Sequence, residues 1–101
     1  MNETSFRGKQ RRFLRGLGVN LKPVVFIGKA SVSAAVLAEL EQALEHHELI
    51  KVRLLDTVDG DRKTVAATLA ELARAELVQV LGRTVLLFRR NEMEPKIDLP
   101  A

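Results

Sequence analysis

The sequence predicts an α/β fold: a two-layer sandwich in the order αβαβαββ, with a mixed four-stranded sheet and its helices on one side. Three observations lead there. Apolar residues recur at helical spacing in three separate segments. β-rich runs follow the first and second of these, and two more come in succession after the third. Strands separated by helices join a sheet through right-handed parallel crossovers, whereas the last two, linked by Gly82-Arg83, pair antiparallel.

With Phe6 at the origin of a helical wheel, Phe13, Leu17 and Leu14 fall within about 100° of one another. Arg7, Lys9, Arg11, Arg12 and Arg15 take the remaining sector, so the first helix is expected to be amphipathic, with five cations on its solvent face and Gly18 as its stop. Pro23 opens VVFI at 24–27, apolar on both faces as in an interior parallel strand, and Gly28 ends it. Ser33 suits the N-cap of a second helix in which Val36, Leu40, Ala43 and Leu44 share a face and which reaches about His47. At 49–55, Ile50, Val52 and Leu54 alternate with Lys51 and Arg53, the two-residue period of a strand. Asp59-Gly60 marks a turn, after which Val65, Leu69, Leu72 and Ala73 return at helical spacing to about Ala75. Runs at 77–81 and 84–89 flank the hairpin pair Gly82-Arg83. Residues 91–101 hold two prolines and no periodicity, and read as an extended tail of one domain spanning 1–101.

Of the 101 residues, 47% are hydrophobic and 29% charged, the balance of a soluble folded chain. Cysteine is absent, which excludes a disulfide scaffold, a thiol nucleophile and a cysteine zinc site. No apolar run approaches the ~18–20 residues of a membrane span. Residues 1–13 lack the apolar core of a signal peptide, so a cytoplasmic location is expected and no membrane partner. Charge is distributed unevenly. Seven Lys/Arg face one Glu over residues 1–29, four Glu and no base occupy 30–50, eight bases face five acids over 51–90, and one faces three over 91–101. Glu39, Glu41, Glu45 and Glu48 are expected mostly to decorate the outer face of the second helix, so a polyanion would approach through the first helix and the amino-terminal loops.

His46 and His47 are adjacent and point about 100° apart on a helix, which cannot chelate one metal together. His47 falls within the apolar stripe and His46 off it, and both are read as structural residues near a helix carboxyl end. The segment Gly28-Lys29-Ala30-Ser31 joins a strand to a helix start, where free N–H groups and the positive dipole end face whatever lies over the loop. It is not a nucleotide P-loop, since Pro23 stands where the first Gly belongs and Ala30 follows Lys29. Spacing alone leaves phosphate contact and plain connection both open. With no Trp, no Tyr, and three of Phe6, Phe13, Phe26 and Phe88 needed for the core, an aromatic sheet platform for bases is not expected. No Ser/His/Asp set or carboxylate pair converges at plausible spacing.

Three stretches, RGLGVNLKPVVFIGKAS, VLAELEQALEHHELIKVRL and VQVLGRTVLLFRR, resemble the CRM domain, the chloroplast RNA splicing and ribosome maturation module, in its bacterial stand-alone YhbY-type form. The resemblance covers roughly residues 6–99. It implies a fold similar to the carboxy-terminal domain of translation initiation factor three, RNA binding without catalysis or cofactor, and association with ribosomal RNA of the large-subunit precursor. The family's GxxG loop falls on Gly28, Lys29, Ala30 and Ser31, with Ser31 in place of the second Gly. The expected RNA-contacting set is therefore that loop together with Lys22, Arg7, Arg11, Arg12 and Arg15, in a monomeric protein. The alternative from another class is an adaptor on the ribosome that docks an acidic protein through its basic helix. A small nucleotide-dependent enzyme is a third, more remote reading.

Overall fold

In a computed structural model the described residues are 8–29 and 32–101, and seven elements follow one another along them: α1 (Gly8–Gly18), β1 (Pro23–Ile27), α2 (Ala34–His47), β2 (Leu49–Leu54), α3 (Arg62–Leu72), β3 (Glu76–Leu81) and β4 (Thr84–Phe88). The order αβαβαββ is the predicted one. Local chemistry sets most of the boundaries. Ser33 is extended and its hydroxyl oxygen accepts the Val36 N–H at 3.1 Å, while the Asp61 carboxylate accepts the Thr64 N–H at 3.1 Å, so α2 and α3 both begin at capped ends. α3 stops at Leu72 rather than near Ala75. Arg74 takes a left-handed φ of 54°, the Ala75 N–H returns to the Ala70 carbonyl (2.8 Å) and the Arg74 N–H to that of Glu71 (3.1 Å), which is the paired bonding of a Schellman turn.

The sheet is mixed and four-stranded, in the order β1-β2-β4-β3, with β1 parallel to β2 and the other two contacts antiparallel. Leu81 pairs with Thr84 around a hairpin in which Gly82 has φ 59° and Arg83 does not go positive, as a type II′ turn requires. β1 is an edge strand, not the interior strand its composition suggests. Val25 and Ile27 enter the core, whereas Val24 and Phe26 stay 47% and 54% exposed. The VVFI run thus combines one buried face with one apolar surface.

Helices cover both faces of the sheet, which corrects the expectation of a two-layer sandwich with all helices on one side. α2 and α3 pack over Ile27, Val52, Leu54, Val85 and Leu87. α1 lies on the opposite face, where Leu14 meets Leu49, Val78, Leu86 and Phe88. The reason is visible in β4, whose residues 85–88 are all buried. A central strand apolar at every position needs cover on both sides. Close approach holds α1 in place: a Cβ on Gly18 would lie 2.7 Å from a Leu86 methyl carbon.

Residues 91–101 are docked. Glu48 is buried, its Oε2 accepts the Asn91 N–H (2.7 Å), and its Oε1 accepts those of Lys96 (2.8 Å) and Ile97 (2.7 Å). Ile97 and Leu99 then pack beside Leu14 and Phe88, and the Gln10 side-chain amide donates to the Pro100 carbonyl at 3.0 Å. None of the helices formed by the described residues is long and apolar enough to cross a membrane.

Candidate functional site

The cations of α1 divide between fold and surface. Leu14 and Gly18 are buried and Gln10 and Arg11 half-buried, so the packed side of the helix is turned about a quarter turn from the stripe that Phe13 and Leu17 define. Phe13 and Leu17 remain about two-fifths exposed, at 39% and 41%. Arg11 consequently leaves the solvent face on which the sequence places it. Its guanidinium donates to the carbonyls of Leu77 and Val78, where β3 is irregular between Leu77 and Gln79. A bulge disrupts the ladder locally, and Arg11 donates to carbonyls at that point. Lys9 and Arg12 are exposed and Arg15 is half-buried at the surface. Arg7, Ala30 and Ser31 lie outside the described residues.

Two grooves flank the carboxyl end of α1 and share Lys51. One is lined by Arg15, Lys51, Gln79, Leu81 and Thr84, the other by Leu17, Lys22, Val24, Lys51 and His47. No carboxylate lines either groove among the described residues. His47 is exposed on the rim, contrary to its expected place in the apolar stripe of α2. The stripe runs through Leu40 and Leu44, and its next position four residues on is Glu48, which is buried in its stead. Glu48 therefore also departs from the solvated acidic face on which the sequence places it.

Farther along the same sheet face, Arg53 is exposed and pairs with Phe26 across the β1–β2 ladder. With Phe13 and Phe26 both exposed, the core cannot hold the three phenylalanines that the sequence leads one to expect there. Beyond the end of β1, Gly28 packs closely: a Cβ there would lie 3.1 Å from Thr57 Oγ1 and 3.5 Å from a Leu55 methyl carbon. The Leu55 N–H donates to the Ile27 carbonyl (2.8 Å), fastening this end of β1 to the chain after β2, and Lys29 follows, exposed. Of the expected residues, Arg15 and Lys22 come together at the grooves and Lys29 stands at the far end of β1, while Arg11 is withdrawn. Lys51, Arg53 and Phe26 were absent from the expected set. The alternation at 49–55 was their signal, since it places Lys51 and Arg53 on one face of the sheet.

Acidic residues gather elsewhere. Glu39, Glu41 and Glu45 line a shallow groove on the outer side of α2, and Arg89 bridges Glu41 (2.8 Å) and Glu45 (3.3 Å) while donating to the Ala73 carbonyl (2.9 Å). The arrangement suits a polyanion at the carboxyl end of α1, since Glu76 and Glu92 line a groove beside Gln10 at its other end, and disfavours one at the outer side of α2.

The family model for the CRS1 / YhbY (CRM) domain matches residues 6–89. The chain is 38% identical to the "Probable RNA-binding protein YqeI" of Bacillus subtilis, over 92% of this chain and 97% of that protein. It is 39% identical to an "RNA-binding protein" of Haemophilus influenzae, over 96% of this chain and 97% of its relative. The solution structure of the hypothetical protein SAV1595 from Staphylococcus aureus superposes with a TM-score of 0.80 at 38% identity, covering 95% of this chain and all of the other. A two-sided αβαβαββ sheet, a cationic α1 side and a sequence match across most of its length together place the chain in the CRS1/YhbY family of CRM-domain proteins.

Proposed function

We propose that this protein is a monomeric, non-enzymatic RNA-binding protein of the cytoplasm that binds ribosomal RNA of the large-subunit precursor during assembly. The observation that carries the reading is the set of cations Arg15, Lys22 and Lys51 around two grooves that no described carboxylate lines, with Arg12, Lys29 and Arg53 exposed besides. Relatives named for RNA binding support RNA as the ligand of that surface, and the resemblance of the sequence to the ribosome maturation module supports ribosomal RNA within that class. In this reading the Gly28-Lys29-Ala30-Ser31 loop contacts phosphates, and Lys22 with the exposed cations of α1, Arg7 included, extends the phosphate-binding track.

Filter binding to fragments of large-subunit ribosomal RNA tests it. Saturable binding at low salt is expected, with log K falling linearly as log salt rises, by about 0.7–0.9 per phosphate contact. Absence of binding at low salt would sink the reading and leave the adaptor, whose basic helix docks an acidic protein.

A further inference from the structure

We infer that the outward face of the β1–β2 edge holds an unpaired RNA segment, with Phe26 as the platform on which one base stacks. The inference rests on the RNA-binding reading and deepens it, because electrostatic attraction by itself does not distinguish single strands from duplex.

Phe26 is 54% exposed on an edge strand, and Val24 beside it is 47% exposed. Exposed aromatic surface on a sheet edge is a liability in a free protein unless something uses it. Its cross-strand neighbour is Arg53, also exposed, and Lys51 follows two residues back along the same face of β2. Arg53 is flanked on its other side by Thr84 of β4. A ring whose ladder partner is Arg53, with Lys51 farther along the same face opposite Pro23, offers a stacking surface for a base and counter-charges for the phosphates on either side of it. A duplex keeps its bases stacked inside and presents backbone, so the ring selects for an unpaired segment. Pairing two copies of the chain through this face about a twofold axis would bring Arg53 and Lys51 against their own equivalents, which disfavours self-association as the use of the patch.

The native chain contains no Trp and no Tyr. Phe26→Trp therefore installs a sole indole at the proposed platform, and Leu72→Trp places one on α3, on the other side of the sheet, at a position 48% exposed. The probes are a short oligoadenylate and the duplex it forms with oligouridylate. Phe26→Trp should bind the single strand at least as tightly as the native protein with its fluorescence quenched, and Leu72→Trp should bind without quenching. Phe26→Leu, which keeps an apolar side chain but removes the ring, should weaken single-strand binding about tenfold and duplex binding little. Phe26→Leu binding the single strand within about twofold of native, with no quenching of Phe26→Trp, would overturn the inference while leaving RNA binding intact. A chain that sediments as a dimer and dissociates on Phe26→Leu would overturn it in favour of a second copy. Failure of the native protein to bind either probe or ribosomal RNA would remove both readings together.

Discussion

Glu48 shows how one residue can carry a segment. It closes α2 with φ 63° and ψ −46°, close to the rare classic γ-turn, a backbone position at which an L side chain costs about 1–3 kcal/mol. Glycine would relieve that cost but would lose the carboxylate that binds three backbone N–H groups of residues 91, 96 and 97. Burial pushes the carboxyl up, while those three bonds and the charge of Arg90 outweigh burial and hold it below its ordinary value of 4.5. A carboxyl depressed in the folded state stabilises fully above its unfolded pKa and loses that contribution as pH falls through the folded value. Glu48→Gln keeps the shape but has one acceptor oxygen and turns an NH2 group toward a donor. It should lower stability at pH 7 by about 2–4 kcal/mol, a difference that shrinks as pH drops below the ordinary carboxyl range. Urea unfolding of both proteins at neutral and acidic pH measures this, and equal midpoints at pH 7 would show that the carboxylate does not anchor the tail.

At the scale of elements, the placement of α1 decides which of its cations remain for a ligand. Arg11 and Arg12 are neighbours in sequence with opposite duties, one donating to β3 carbonyls and the other in solvent. Arg11→Ala strands those carbonyls and should cost about 1–3 kcal/mol of stability. Arg12→Ala should change stability by less than about 0.5 kcal/mol and should instead weaken RNA binding. Thermal unfolding and filter binding of the two variants separate the roles, and a reversed pattern would mean that the packed side of the helix has been misassigned. Gly18 belongs to the same contact. Its lack of a side chain serves the approach to Leu86, a packing role that the wheel, which reads it as a helix stop, does not contain.

For the whole molecule, charge polarity is the functional property. Glu41 and Glu45 line the outer side of α2, and Glu39 reaches from there to the β1 edge beside Val24, while Arg15, Lys22 and Lys51 gather around the grooves at the carboxyl end of α1. A polyanion is therefore oriented before contact, and rising salt should slow its capture. Lys29→Glu should weaken RNA binding more than Arg12→Glu at equal salt, because the new carboxylate stands just before the amino end of α2 and competes for its N–H groups. Each charge reversal should also reduce the magnitude of the salt slope by about 0.7–0.9 or more. Binding by Lys29→Glu equal to native, with Arg12→Glu impaired, would reduce the loop to a connector.

Much of this was readable from local chemistry along the chain. Ser33 capping its helix, the alternation of 49–55 and the Gly82 hairpin depend on residues a few positions apart, so order, strand pairing sense and most boundaries follow from short-range geometry. Long-range partners are another matter. The wheel for α1 shows that Phe13, Leu17 and Leu14 cluster, but only the sheet decides that Leu14 and Gly18 pack, that Arg11 meets the irregularity of β3, and that Phe13 stays at the surface. The strand order makes β1 an edge and exposes Phe26, although VVFI and the equally apolar VLLF of β4 look alike in sequence. Likewise Glu48 is buried because a tail 43 residues further along brings N–H groups to it. Hydrophobic periodicity states which residues need cover, and tertiary contact chooses what covers them and which charges it leaves in solvent.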